Sequence, residues 1–140
     1  MTEIILHREG SEFGFVARDQ AGHSVKMDTS EETGGQGFGV KPMQLMLMGL
    51  GGCSGIDVVM ILKKQRQHIT DFQIRITGQR ETGREPALWE EVTIRFELTG
   101  EIEQEKAERA CQLSMDKYCS VAETLKRAGT RIRWEVQVKK

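Results

Sequence analysis

The sequence contains no CxxC pair, and its three cysteines, Cys53, Cys111 and Cys119, are too few for a disulfide framework. In a reducing cytoplasm they are free thiols, and a disulfide between any two would be transient and functional. There is no basic excess either. Twenty Lys and Arg face 21 Asp and Glu for a net charge of -1, so nothing is set up to hold a phosphate backbone and no nucleic-acid partner is expected. His7, His23 and His68 are scattered without a ligand spacing such as HExxH, which argues against a metal site, and no cofactor is expected. The glycine-rich stretch from Thr33 to Gly39 leads into no GK[ST] and matches no GxGxxG, so it reads as a flexible loop. The run Met1-Thr2-Glu3-Ile4-Ile5-Leu6-His7 lacks the basic start and longer apolar core of a secretory leader; a cytoplasmic location is the expectation. With no internal repeat and no linker, residues 1–140 are expected to form a single domain.

What is present is a globular balance of 38% hydrophobic and 29% charged residues over 140 positions, enough for one real core. Period-2 alternation recurs at Phe13, Phe15 and Ala17; at Val25 and Met27; at Phe72, Ile74 and Ile76; at Val92, Ile94, Phe96 and Leu98; and at Ile132, Trp134, Val136 and Val138. Residues 3–8 are a weaker strand candidate. Such alternation predicts half-buried strands of an antiparallel sheet, with residues 81–88 as a hairpin loop. Two helical regions interrupt the strands. One starts at Pro42, a residue suited to a first helical turn, and runs to about Gln67. The other spans roughly 103–128 with a break near Cys119. The order β-β-β-α-β-β-α-β predicts an α+β fold with helices packed on the sheet.

The first helix is apolar on every side: from Met43 to Leu62 only Gln44, Ser54 and Asp57 are clearly polar. That pattern means burial in a core or a membrane. Four glycines and an aspartate in the middle of the span argue against a bilayer, and a chain this size hardly surrounds the helix alone. A second subunit covering the excess apolar face is therefore expected, in a homodimer. Gly51 and Gly52 precede Cys53 and Gly55 follows it. They either open access to the thiol or allow close helix packing.

Cys53 sits in the middle of this helix. Cys111 falls on the stripe Ala107, Cys111, Met115, Tyr118 and reads as a small core hydrophobe. Cys119 precedes Ser120-Val121-Ala122-Glu123, which fits a capping box with Ser120 as N-cap; a thiol just outside a helix N-terminus, near Lys117, would be favoured as thiolate. Along one helix Cys111 and Cys119 would lie about 12 Å apart, beyond the roughly 7 Å that a disulfide tolerates. Cys53 with Cys119 is the more natural pair. Asp57, four residues after Cys53, shares its helix face. It disfavours a thiolate beside it, and needs a partner such as an arginine or a backbone group.

The segments Pro42-Met43-Gln44-Leu45, Leu50-Gly51-Gly52-Cys53-Ser54-Gly55-Ile56-Asp57-Val58-Val59 and Lys117-Tyr118-Cys119-Ser120-Val121 resemble the OsmC/Ohr family of osmotically inducible and organic hydroperoxide resistance proteins, and within it the YhfA-like branch. The resemblance runs over essentially the whole chain. It implies an intertwined homodimer with sites at the subunit interface. It also implies a peroxiredoxin-like, antioxidant activity of the stress-response kind: reduction of organic hydroperoxides, with Cys53 as peroxidatic and Cys119 as resolving thiol and an external dithiol as reductant. Family members poise the first thiolate with an arginine and a glutamate. Here Met43 and Gln44 stand where relatives carry glutamate, and Arg18 and Arg8 are candidates for the arginine without a motif to anchor them. Gln44, Arg18 and Asp57 are therefore candidate supporting residues. The apolar Met46, Met48, Leu50 and Ile56 suit a greasy peroxide. A second reading stays open because of the missing glutamate: a non-catalytic module binding a small hydrophobic or thiol-reactive ligand.

Overall fold

The structure, a computed structural model, describes all residues from 1 to 140. The backbone falls into two compact units, Met1–Met46 and Leu47–Lys140.

The first unit is an antiparallel meander of β1 (Ile5–Arg8), β2 (Phe15–Arg18) and β3 (Ser24–Met27). The alternation in β2 is real, but its buried member is Val16, at 4% exposure, while Phe15 is exposed. A three-stranded sheet of four-residue strands has one inner face, and the register puts Val16 on it. The glycine-rich stretch is not a flexible loop. It wraps the buried Asp28, whose carboxylate accepts from the amides of Thr29 (2.7 Å), Gln36 (3.0 Å) and Phe38 (3.1 Å) and from Ser11 Oγ (3.1 Å). These donors, the Gln36 amide foremost, hold the Asp28 carboxyl below its ordinary range. A Cβ on Gly35 would collide with the backbone of Thr29, so the loop closes on itself only with glycine there.

The helix α1 (Pro42–Lys64) begins in the first unit and continues into the second. There it is followed by β4 (His68–Arg80), β5 (Trp89–Glu101), α2 (Gln104–Leu113), a single π-helical turn (Ser114–Tyr118), α3 (Ser120–Arg127) and β6 (Arg131–Lys139). β4 and β5 form a long antiparallel hairpin closed by the 81–88 loop, with Arg80 opposite Trp89. The sheet is not wholly antiparallel as expected: β6 runs parallel to β5, with Phe96 opposite Val136. The helices of residues 104–127 form the crossover that a parallel pair requires.

β5 is the central strand, and Val92, Ile94, Phe96 and Leu98 are the buried face that its alternation predicts. Over the sheet, α1 buries Leu50, Ser54, Val58 and Leu62, one stripe at four-residue spacing. Gly51 and Gly55 let it close on β4: a Cβ at either would stand 2.9 Å or 2.8 Å from the terminal methyl of Ile76 or Ile74. Gly49 and Gly52 face open space. The two meanings of the glycines thus divide by face. Because the sheet covers one side only, the helix is not buried all round: Met48, Ile56, Val59 and Met60 are exposed. By length and composition α1 would span a bilayer, as the core helix of a soluble protein also can.

Candidate functional site

Cys53 lies half-buried on α1, and Asp57 follows it one turn later. The turn between α2 and α3 brings the remaining groups. In it the amide of Cys119 donates to the carbonyl of Ser114 at 2.8 Å, a bond five residues long rather than four. Single π turns of this kind are frequent at functional sites. The extra residue ends α2 and restarts the helix at α3, with Cys119 in an extended conformation between them. The N-cap of α3 is thus Cys119 and not Ser120: its sulfur accepts the Ala122 amide at 3.4 Å. Ser120 is already helical, and Glu123 turns outward to pair with Arg127 at 2.8 Å rather than closing a capping box.

The result is a cluster in which Cys53 and Cys119 approach to 3.2 Å. The ligand atoms of Cys53, Asp57 and Cys119 all lie within 4.8 Å of one another. The partner that Asp57 needs is neither an arginine nor a backbone group but the buried Ser114, whose hydroxyl donates to its carboxylate at 2.9 Å. Ser114 escaped the sequence reading although it interrupts the apolar stripe of Ala110, Cys111 and Met115, where a buried polar residue must have a partner. Lys126 was missed as well. Its Nζ donates to the Met115 carbonyl at 2.6 Å and fastens the π turn from the α3 side.

The electrostatics of Cys119 differ from the expectation. Burial pushes its thiol up to about 12. The Ala122 amide opposes this, while the neighbouring Cys53 and Asp57 reinforce it. Cys119, a residue 3% exposed, loses more from desolvation than one helix end returns. Lys117 does not help, since its ammonium lies over the Tyr118 ring at 5.3 Å. Cys111 is fully buried, and its thiol also rises to about 12, chiefly through desolvation. It is the core hydrophobe that its stripe suggests.

Of the candidate supporting residues, Asp57 is a member of this cluster, within the second unit. Arg18 pairs with Glu9 at 3.1 Å, and Arg8 donates to the Glu12 carbonyl at 2.7 Å, both within the first unit. Gln44 is exposed in the first turn of α1. Among the apolar residues named for a greasy ligand, Met46, Met48 and Ile56 are exposed, but Leu50 is core. Beside Asp57 a groove of about 420 Å³ is lined by Met60, Ile61, Lys64, Leu113 and Tyr118.

The chain matches the family model for OsmC-like protein over residues 33–135. It is 38% identical to Protein YhfA of Escherichia coli K12 over 115 residues, 81% of this chain and 82% of that one. A solved structure of a hypothetical protein from Aquifex aeolicus VF5 superimposes with a TM-score of 0.82 at 33% identity, covering 100% of this chain and 98% of the other. An organic hydroperoxide resistance protein OsmC from Legionella pneumophila shares the fold, with a TM-score of 0.74 at 18% identity over 99% and 97% of the two chains.

Proposed function

This chain belongs to the OsmC-like protein family, and we propose that it is a thiol-dependent, peroxidase-like protein that reduces organic hydroperoxides through Cys53 and Cys119. The observation that carries this reading is the 3.2 Å approach of the two cysteines on separate helices. A disulfide S–S bond is about 2.05 Å long, so little movement separates the reduced pair from the bonded one. Cys53, the more accessible of the two, attacks as thiolate on the peroxide O–O bond. With one proton the organic oxygen leaves as an alcohol, and Cys53 becomes a sulfenic acid. The Cys119 thiol then displaces that hydroxyl, releasing water and forming the disulfide. An external dithiol reduces it by exchange. The groove lined by Met60, Ile61, Leu113 and Tyr118 offers apolar surface to an organic group.

The uncovered face of α1, with Met48, Ile56, Val59 and Met60, supports a homodimer. The three free thiols suit a cytoplasmic setting, where reductant would hold them ready. The absence of glutamate at Met43 and Gln44 keeps a second reading, a binding module for a small hydrophobic or thiol-reactive ligand, as the alternative.

A free-thiol count before and after one equivalent of cumene hydroperoxide separates the two. The wild type should lose two thiols rapidly and Cys53→Ser none. Oxidation of the wild type no faster than that of a free thiol would overturn the peroxidase reading in favour of the binding module. Sedimentation of the reduced protein tests the dimer.

A further inference from the structure

The cluster has a property that peroxide chemistry does not use. Two sulfurs and a carboxylate, from α1 and the α2–α3 turn, converge with all three ligand atoms inside 4.8 Å. A tetrahedral zinc ion with Zn–S bonds of about 2.3 Å needs its sulfurs roughly 3.8 Å apart. The cysteines at 3.2 Å would open by a fraction of an ångström to admit one. We infer that reduced Cys53 and Cys119, with Asp57, form a three-ligand site for a soft divalent ion of the Zn²⁺ class, its fourth position open to water.

The neighbours of two of the three ligands support this. Metal ligands are normally oriented by outer hydrogen bonds. The buried Ser114 hydroxyl fixes the Asp57 carboxylate at 2.9 Å, and the Ala122 amide reaches the Cys119 sulfur at 3.4 Å. Two thiolates select thiophilic ions over Mg²⁺ and Ca²⁺, which prefer oxygen donors throughout. Binding releases two thiol protons to solvent and leaves three ligand charges around a dication. A disulfide has no thiolates to offer, so the site exists only in the reduced chain. Metal affinity does not depend on peroxide turnover: a chain that never reduces a peroxide would still bind the ion.

The test uses the whole reduced protein, stripped with a chelator under inert gas and titrated with Co²⁺ as a spectroscopic probe, then with Zn²⁺. One Co²⁺ per chain is expected, with a thiolate charge-transfer band and the visible bands of tetrahedral cobalt, both abolished by Zn²⁺. Cys53→Ser and Cys119→Ser should lose the charge-transfer band, and Cys111→Ala should keep it. Ser114→Ala should weaken binding about 10–100-fold, as loss of an outer partner does, and Asp57→Asn at least as much. Peroxide-oxidised wild type, which needs no substitution, should bind nothing at this site. The inference is overturned by the absence of a saturable band in the reduced wild type, by its survival in either serine variant, or by its survival after full oxidation.

Discussion

A short pulse of iodoacetamide on the reduced protein at pH 8 should mark Cys53 and leave Cys119 and Cys111 behind. The magnitude follows from the thiol environments. With its proton held to about pH 12, Cys119 is thiolate in about one molecule in ten thousand at pH 8, against about one in four for a free thiol of pKa about 8.5. A more basic thiolate is a better nucleophile, with a Brønsted slope of about 0.4–0.5, which returns roughly 40-fold. The net expectation is alkylation of Cys119 roughly 60-fold slower than that of a free cysteine, before steric burial slows it further. Quenched samples, digested and read by mass spectrometry, give the three rates side by side, and a denatured control should label all three cysteines alike. Asp57→Asn removes one of the charges that hold the Cys119 proton, so Cys119 should react faster in that variant. Cys111, whose neighbouring charge is Glu108, should not change. Labelling of Cys119 at the free-thiol rate in the wild type would refute the assignment of burial as the dominant influence on it.

Cys111 binds its proton more tightly folded than unfolded, so its contribution to stability is complete below about pH 9 and lost as pH rises toward about 12; the alkaline fall in Tm should be shallower in Cys111→Ala. Asp28 has the opposite sign: its depressed carboxyl stabilises the fold above about pH 3.8, and this is lost as pH falls through the lower folded value. Asp28→Asn should therefore lower Tm at neutral pH and flatten its acid limb, as followed by circular dichroism. Gly78→Ala would place a methyl 2.9 Å from the Trp89 ring and 3.2 Å from Leu47, an overpacking that should cost about 1–3 kcal/mol in urea unfolding. Gly52→Ala, with open space beside it, should instead gain up to about 1 kcal/mol from helix propensity.

The strands and helices were legible where one residue pattern met one environment. Val92 to Leu98 alternate because β5 is buried on a single face, and the sequence shows that face directly. Parallel pairing of β5 with β6 was not legible, because alternation reports which side is wet and carries no strand direction. The loop around Asp28 was misread for a related reason. Glycine content signals backbone freedom, while the four hydrogen bonds that remove that freedom converge on a carboxylate placed before the glycines begin.

At the candidate site the sequence pattern places the three cysteines where the structure has them: Cys111 on a buried stripe, Cys53 among glycines on α1, Cys119 at a helical break. It misjudges how the break works. A capping box places the helix start at Ser120, but the π turn moves it back by one residue and makes the sulfur itself the cap. That shift decides the chemistry. With Ser120 as cap, Cys119 would sit outside the helix and feel its partial positive charge from the surface. As the cap it is drawn into the interior, where desolvation outweighs the single amide it gains. The same shift turns Cys119 toward Cys53 and brings Ser114 onto Asp57. In this chain the carboxylate beside the thiols therefore comes from the turn of α1 after Cys53, held by a serine hydroxyl, and not from the start of that helix, where Met43 and Gln44 carry no charge. A carboxylate in that place repels a second thiolate. A cation bound between the sulfurs, as inferred above, would offset that repulsion at Cys119. The proposed metal ion and the proposed disulfide both require the sulfurs of Cys53 and Cys119, so a chain holding one leaves no ligands for the other.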